Sequence, residues 1–187
     1  LGTGHALMQA QGSVNPDHTL VVLAGDTPLL EGKTIKKLLD FHRQQQIRAI
    51  VLSGLLPDPY GYGRIIRQAD GGLERIVEEK DASPDEKKIA EINTGMYCFQ
   101  AGAVFAALSR LDRSNVQGEY YLTDVLPILK NDGHQVAVLA TDEIDQIHGI
   151  NDRVQMAQAE AIIRQRHNQK LMKNGVTVMA PETTFID

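Results

Sequence analysis

The sequence predicts an α/β fold, with a mixed, mainly parallel sheet that carries an inserted β layer, and three observations support it. Leu20-Val21-Val22-Leu23-Ala24 is a continuous apolar run closed by Gly25-Asp26, the pattern of a strand buried on both faces. Residues 33–46 then place Ile35, Leu38, Leu39 and His42 at helical spacing, with Lys and Gln on the other side. A second apolar run, Ala49-Ile50-Val51-Leu52, completes a strand, helix, strand order whose crossover should be right-handed.

Beyond residue 57 the texture changes to short β segments at 64–69, 73–79 and 92–99. Asp70-Gly71-Gly72 has the turn chemistry to join the first two as a hairpin. Helical texture returns at 102–111, 120–131 and, most strongly, 151–174, where Val154, Ala157 and Ala161 share a stripe; one more strand is expected at 136–140. No repeat or Ser/Gly-rich linker interrupts residues 1–175, which read as one domain. Val176-Thr177-Val178-Met179-Ala180-Pro181 starts a new alternating pattern.

Composition narrows the function. With 19 Lys+Arg against 24 Asp+Glu, the net charge of −5 gives no footprint for nucleic acid or an anionic membrane. The single Cys98 can form neither an internal disulfide nor a thiolate zinc cage, and no apolar run reaches the roughly 18 residues of a membrane span. A reducing, aqueous compartment such as the cytoplasm is expected. Residue 1 is Leu, and the segment from Leu1 to Ala6 lacks the basic and apolar regions of a signal peptide, so the chain is expected to begin inside a longer sequence.

Several residues could carry chemistry. Asp26 follows a buried strand, and ligands of open α/β sheets gather at strand carboxyl ends, so it reads as a ligand for a hard cation or as a turn residue bonding its own backbone. Gly61-Tyr62-Gly63-Arg64 matches no dinucleotide or triphosphate loop; its glycines allow either close approach to a ligand or a tight turn. In Glu78-Glu79-Lys80-Asp81, period 2 puts Glu78 on the face of Ile76 and Glu79 on that of Val77, so only one glutamate should point inward. Asn93 and Thr94 place an amide and a hydroxyl in an apolar strand start, where sugar hydroxyls are suitable partners. Asn151 reads as a helix N-cap, with Asp152 in the first turn, or as a neutral oxygen ligand to a cation. The histidines at 5, 18, 42, 134, 148 and 167 form no HxH or HExxH pair, no GxSxG elbow is present, and Cys98 reads as a core residue.

In this order, Leu1-Gly-Thr-Gly-His-Ala6, Gly25-Asp-Thr-Pro-Leu29, Gly61-Tyr-Gly-Arg64, Val77-Glu-Glu-Lys-Asp-Ala82, Glu91-Ile-Asn-Thr-Gly95, Gln117-Gly-Glu-Tyr-Tyr-Leu-Thr-Asp124 and Gly149-Ile-Asn-Asp-Arg153 resemble one family across essentially the whole chain. It is the bacterial bifunctional N-acetylglucosamine-1-phosphate uridylyltransferase / glucosamine-1-phosphate acetyltransferase family. The resemblance implies a Rossmann-like nucleotide-diphospho-sugar transferase fold and the formation of UDP-N-acetylglucosamine and pyrophosphate from UTP and N-acetylglucosamine 1-phosphate, a step toward cell-wall precursors. It further implies Mg2+ held by Asp26 and Asn151, Gly2 and Thr3 facing uracil, and Gly63, Glu78, Asn93 and Thr123 holding sugar and ribose. The sugar phosphate is already a competent oxygen nucleophile, so in-line positioning and charge neutralisation suffice without a general base.

The family's glycine-rich signature loop would precede residue 1, so the resemblance implies an incomplete transferase domain, inactive alone. Residues 176–187 would open a left-handed β-helix that carries the acetyltransferase site and the contacts of a homotrimer. Two rival readings are another sugar-1-phosphate nucleotidyltransferase, such as a glucose-1-phosphate thymidylyl- or uridylyltransferase, and an inactive sugar-nucleotide-binding fragment.

Overall fold

The computed structural model describes residues 1–150 and 152–186. The chain divides into two units, Leu1–Ala24 with Gly32–Ile144, and Gly25–Glu31 with Asp145–Asp187.

The first unit is built on six strands: β1 (Thr19–Val22), β2 (Ala49–Leu55), β3 (Gly63–Arg67), β4 (Leu73–Val77), β5 (Glu91–Gln100) and β6 (Val136–Thr141). The sheet runs β4-β3-β5-β2-β6, with β1 also paired to β5. The expected α/β class and mixed sheet are present, but the expected mainly parallel pairing needs correction. Among the described residues only β2 and β6 pair in parallel, from Ala49 opposite Val136 to Gly54 opposite Thr141. The other four pairings, β1/β5, β2/β5, β3/β4 and β3/β5, are antiparallel. β1 and β2 do run in the same direction, but β5 lies between them and runs against both. The physical reason is that β5 is long enough to serve several partners. One edge of its second half pairs with β1, from Val22 opposite Tyr97 to Thr19 opposite Gln100, while Asn93 and Ile92 pair with Gly63 and Arg64 of β3. β1 is accordingly half-buried along its length rather than buried on both faces.

Alternation along the strands builds a core on each side of the sheet. Ala49, Val51, Tyr97 and Phe99 face a cluster that includes residues of helices α3 (Ala101–Leu108) and α4 (Val125–Asn131), with Leu7 and Met8 of helix α1 (Gly2–Met8) packed against it. Their neighbours Ile50 and Cys98 face the opposite way, toward Leu38 of helix α2 (Gly32–Gln45) and Ile47. Cys98 is fully buried, and burial pushes its thiol up to about 12, in keeping with a core residue. The β3/β4 hairpin closes as its turn chemistry predicts: Gly71 has φ of 85°, Gln68 N–H donates to Gly72 C=O at 2.8 Å, and Asp70 Oδ1 accepts from Gly72 N–H at 2.9 Å.

α1 is the element that sequence periodicity did not predict. Its glycines are poor helix formers, and a neighbouring segment holds them in place. Gly4 N–H donates to Tyr120 C=O at 2.8 Å, and a Cβ at Gly4 would sit 2.8 Å from Leu111 Cδ1.

In the second unit, helix α5 spans Arg153–Lys173. Its N-cap is Asp152, whose carboxylate accepts from Gln155 N–H at 2.8 Å, so the cap falls one residue later than the reading of Asn151 as N-cap. The expected stripe of Val154, Ala157 and Ala161 is exposed; the buried positions are instead Ala159 and Asn168, with Gln155, Ile162 and Arg166 among the half-buried ones. Polar bonds tie the helix to the 25–31 segment. Arg166 donates to Leu29 C=O at 2.9 Å and pairs with Glu31 at 3.2 Å, contacts an apolar-periodicity argument does not register. Residues 174–186 contain turns and no strand. No helix among the described residues is long and apolar enough to cross a membrane.

Candidate active site

A β-bulge shapes the site in the first unit. The β2/β5 register shifts between Val51 and Ser53, which oppose Tyr97 and Asn93, so β5 holds extra residues there, and Gly95 takes φ of 74°. The bulge is satisfied by side chains: Thr94 Oγ1 donates to Leu52 C=O at 2.8 Å, and Gly95 N–H donates to Asn93 Oδ1 at 3.0 Å. This is the local reason for an Asn-Thr-Gly run in an apolar strand, and bulges of this kind re-aim side chains beside functional sites.

Asn93 then meets Gly63 directly across the β3/β5 pairing. A Cβ on Gly63 would sit 3.2 Å from Glu78 Oε2, 3.3 Å from Ile76 Cγ2 and 3.5 Å from Asn93 Cβ, so the bare backbone of Gly63 forms, with Glu78 and Asn93, a close-packed cradle that a side chain would crowd. Thr123, on the 3-10 turn Leu122–Asp124, donates to Glu78 Oε1 at 3.2 Å. Four residues implied by the resemblance, Gly63, Glu78, Asn93 and Thr123, therefore lie together. Thr3 is tied to the same turn, because Leu122 N–H donates to Thr3 Oγ1 at 3.1 Å. Gly2 packs on the preceding residues, where a Cβ would fall 2.6 Å from Tyr120 O.

Both neighbouring glutamates are engaged, in different networks. Glu78 joins the cradle, while Glu79 accepts from the buried Arg64 at 2.8 Å and from Gly61 N–H at 3.3 Å. Sequence reasoning missed Arg64, which stands inside the quoted Gly-Tyr-Gly-Arg run, and Tyr97, whose hydroxyl donates to Asn93 Oδ1 at 3.0 Å. The spacing from Asn93 to Tyr97, an even number of residues along a strand, was the signal that could have found it.

The cradle is acidic. Burial holds the Glu78 carboxyl above the ordinary range against the opposing Thr123 bond, and Asp124 and Asp81 push it further. Burial also raises Asp124, with Asp112 and Asp81 adding to it. A carboxylate raised in the folded state costs stability once pH climbs past its unfolded value, and the cost is complete above the folded one. Glu78→Gln is therefore expected to raise Tm at pH 7, and the gain should vanish as pH falls below the ordinary carboxylate range. Melting curves across pH 3–8 check both parts.

In the second unit, Asp26 is exposed in the turn after β1, and its backbone C=O accepts from Ile150 N–H at 2.8 Å. An exposed carboxylate on a backbone held by this bond suits a magnesium ion, which keeps several of its waters. Asn151, the other implied ligand, lies outside the described residues.

On a helix-flanked mixed sheet, the Glu78 carboxylate, the Asn93 amide and the Thr123 hydroxyl thus gather at the bare backbone of Gly63, a set of groups with the chemistry to meet polar, hydroxyl-bearing partners. The chain belongs to the nucleotidyl transferase family, whose profile matches residues 1–174. It is similar over its full length to the "Bifunctional protein GlmU" of Syntrophomonas wolfei, at 54% identity over 187 residues, and to that of Acetivibrio thermocellus, at 50% over 188. The chain spans 42% and 41% of the length of these curated relatives. Among solved structures, a putative glucose-1-phosphate thymidylyltransferase from Bacillus anthracis, in complex with a sucrose, shares the fold with a TM-score of 0.65. Its identity is 22%, covering 97% of this chain and 64% of that one.

Proposed function

We propose that the protein transfers a uridylyl group from UTP to N-acetylglucosamine 1-phosphate, releasing pyrophosphate and UDP-N-acetylglucosamine for cell-wall precursor synthesis. The observation that carries this reading is the convergence of Gly63, Glu78, Asn93 and Thr123 in one cradle. Glu78 Oε2 can accept from a hydroxyl and the Asn93 amide can donate to an oxygen, and at Gly63 no side chain crowds either residue. Identity of about half over the whole chain to bifunctional relatives supports the same assignment.

Asp26 and Asn151 would hold magnesium, which when bound neutralises phosphate charge. The chain's own residues position: the cradle fixes the sugar, and with it the phosphate oxygen that attacks. Gly2 and Thr3 are assigned to the uracil. Residues 1–175 are then the transferase part, and residues 176–187 open a left-handed β-helix through which the whole, cytoplasmic protein forms homotrimers and acetylates glucosamine 1-phosphate from acetyl-CoA.

Pyrophosphate release by the full-length protein with magnesium tests the assignment. UTP and TTP are each paired with N-acetylglucosamine 1-phosphate and glucose 1-phosphate. The UTP and acetamido-sugar pair should exceed each other pair in kcat/KM by about tenfold or more. Equal or better turnover of any other pair would overturn it.

A further inference from the structure

Tyr97 is buried, at 2% exposure, and stacks on Phe99 with ring centroids 5.4 Å apart. Its hydroxyl has one partner among the described residues, Asn93 Oδ1 at 3.0 Å. Burial and the nearby Glu78 charge push the phenol upward, so the hydroxyl keeps its proton and donates. The same Oδ1 accepts from Gly95 N–H at 3.0 Å. A backbone N–H can only donate, so it fixes which end of the carboxamide is the oxygen. Two donors occupy both lone pairs of that oxygen. The –NH2 end is left without a protein partner among the described residues, on the residue that faces the bare backbone of Gly63 across the β3/β5 pairing.

We infer that Tyr97 is a positioning residue: its hydroxyl locks the Asn93 carboxamide so that the cradle presents a donor at Asn93 next to the acceptor at Glu78 Oε2. That pairing reads a ligand with an acceptor oxygen and a hydroxyl donor on neighbouring carbons, as a pyranose ring offers. The inference rests on the proposed sugar-phosphate substrate and adds the group that sets the amide's orientation. Gly95 N–H alone restrains one side of the oxygen; the Tyr97 bond, coming from four residues farther along β5, stops rotation about the Cβ–Cγ bond.

Tyr97→Phe removes the hydroxyl and keeps the stacked ring. In the full-length protein it should raise KM for N-acetylglucosamine 1-phosphate about fivefold, the worth of roughly one hydrogen bond, while KM for UTP and kcat stay within about twofold. The decisive measurement is a double-mutant cycle with Asn93→Ala. If Tyr97 acts through the amide, Tyr97→Phe adds nothing to KM in the Asn93→Ala background. It should also raise Tm there, since it removes a hydroxyl that has lost its partner. An equal rise of KM in both backgrounds, or an unchanged sugar-phosphate KM in the single variant, overturns the inference while the unmodified protein still turns over. Absence of turnover in the unmodified protein overturns the functional reading and this inference with it.

Discussion

Asp26→Ala is expected to lower kcat/KM for uridylyl transfer by about a thousandfold, the scale of losing a preorganised electrostatic group at a reacting phosphate. The substitution keeps the backbone bond that fixes the turn. The bond from Ile150 N–H goes to the backbone carbonyl of residue 26, which Ala retains. The cradle residues belong to the other unit and are untouched. Binding of UDP-N-acetylglucosamine, measured by calorimetry, should therefore persist while turnover is lost. Chelation of magnesium should reduce the unmodified protein toward the variant's rate and leave the variant nearly unaffected. A variant that keeps more than about a tenth of the normal rate would show that the carboxylate has no part in transfer.

What the sequence disclosed divides along physical lines. β2, β6, α2 and the Asp70-Gly71-Gly72 turn were legible because their signals are local: a continuous apolar run, a helical period, and residues that tolerate the turn's backbone. The direction of β5 was not legible. A strand covered by helices on both faces shows the same unbroken apolar pattern in either direction, and its partners lie far away in the chain, Ala49 being opposite Phe99. α1 escaped because its stability comes from the Tyr120 carbonyl rather than from the propensity of Gly2 and Gly4. Of the candidate site, Asn93 could be suspected from an amide in an apolar strand. Gly63 and Glu78 emerged from the ordered motifs, since a glycine before a strand and a charged strand end have commoner uses. Tyr97 read as core because its ring is core; only the hydroxyl belongs to the site.

The neighbouring glutamates supply the second large effect, with opposite signs for adjacent residues. The Arg64 side chain is only 2% exposed, against 19% for Glu79. Its guanidinium donates to Tyr62 C=O, to Lys87 C=O at 3.3 Å and to Glu79 Oε2 at 2.8 Å, and its Nε has no partner among the described residues. Glu79 is thus the anion that makes a buried cation tolerable, and Glu79→Ala would strand that charge among carbonyls. A loss of about 3 kcal/mol is expected, the low end for breaking a buried pair because Glu79 keeps some solvent. For a chain of this size that is a fall in Tm of about 6–12 °C. Replacing both members, Arg64→Met with Glu79→Leu, should cost less than Glu79→Ala alone, because no uncompensated charge remains buried. Both variants also release Gly61 N–H from the Glu79 carboxylate, so the loop leading into Gly63 loosens and KM for the sugar phosphate should rise in each. Thermal melts of the single, the double and Glu78→Gln at pH 7 should therefore rank Glu79→Ala lowest and Glu78→Gln above the unmodified protein. A Glu79→Ala protein as stable as the original would mean that Arg64 finds water or another anion, and that the pair does not hold the loop.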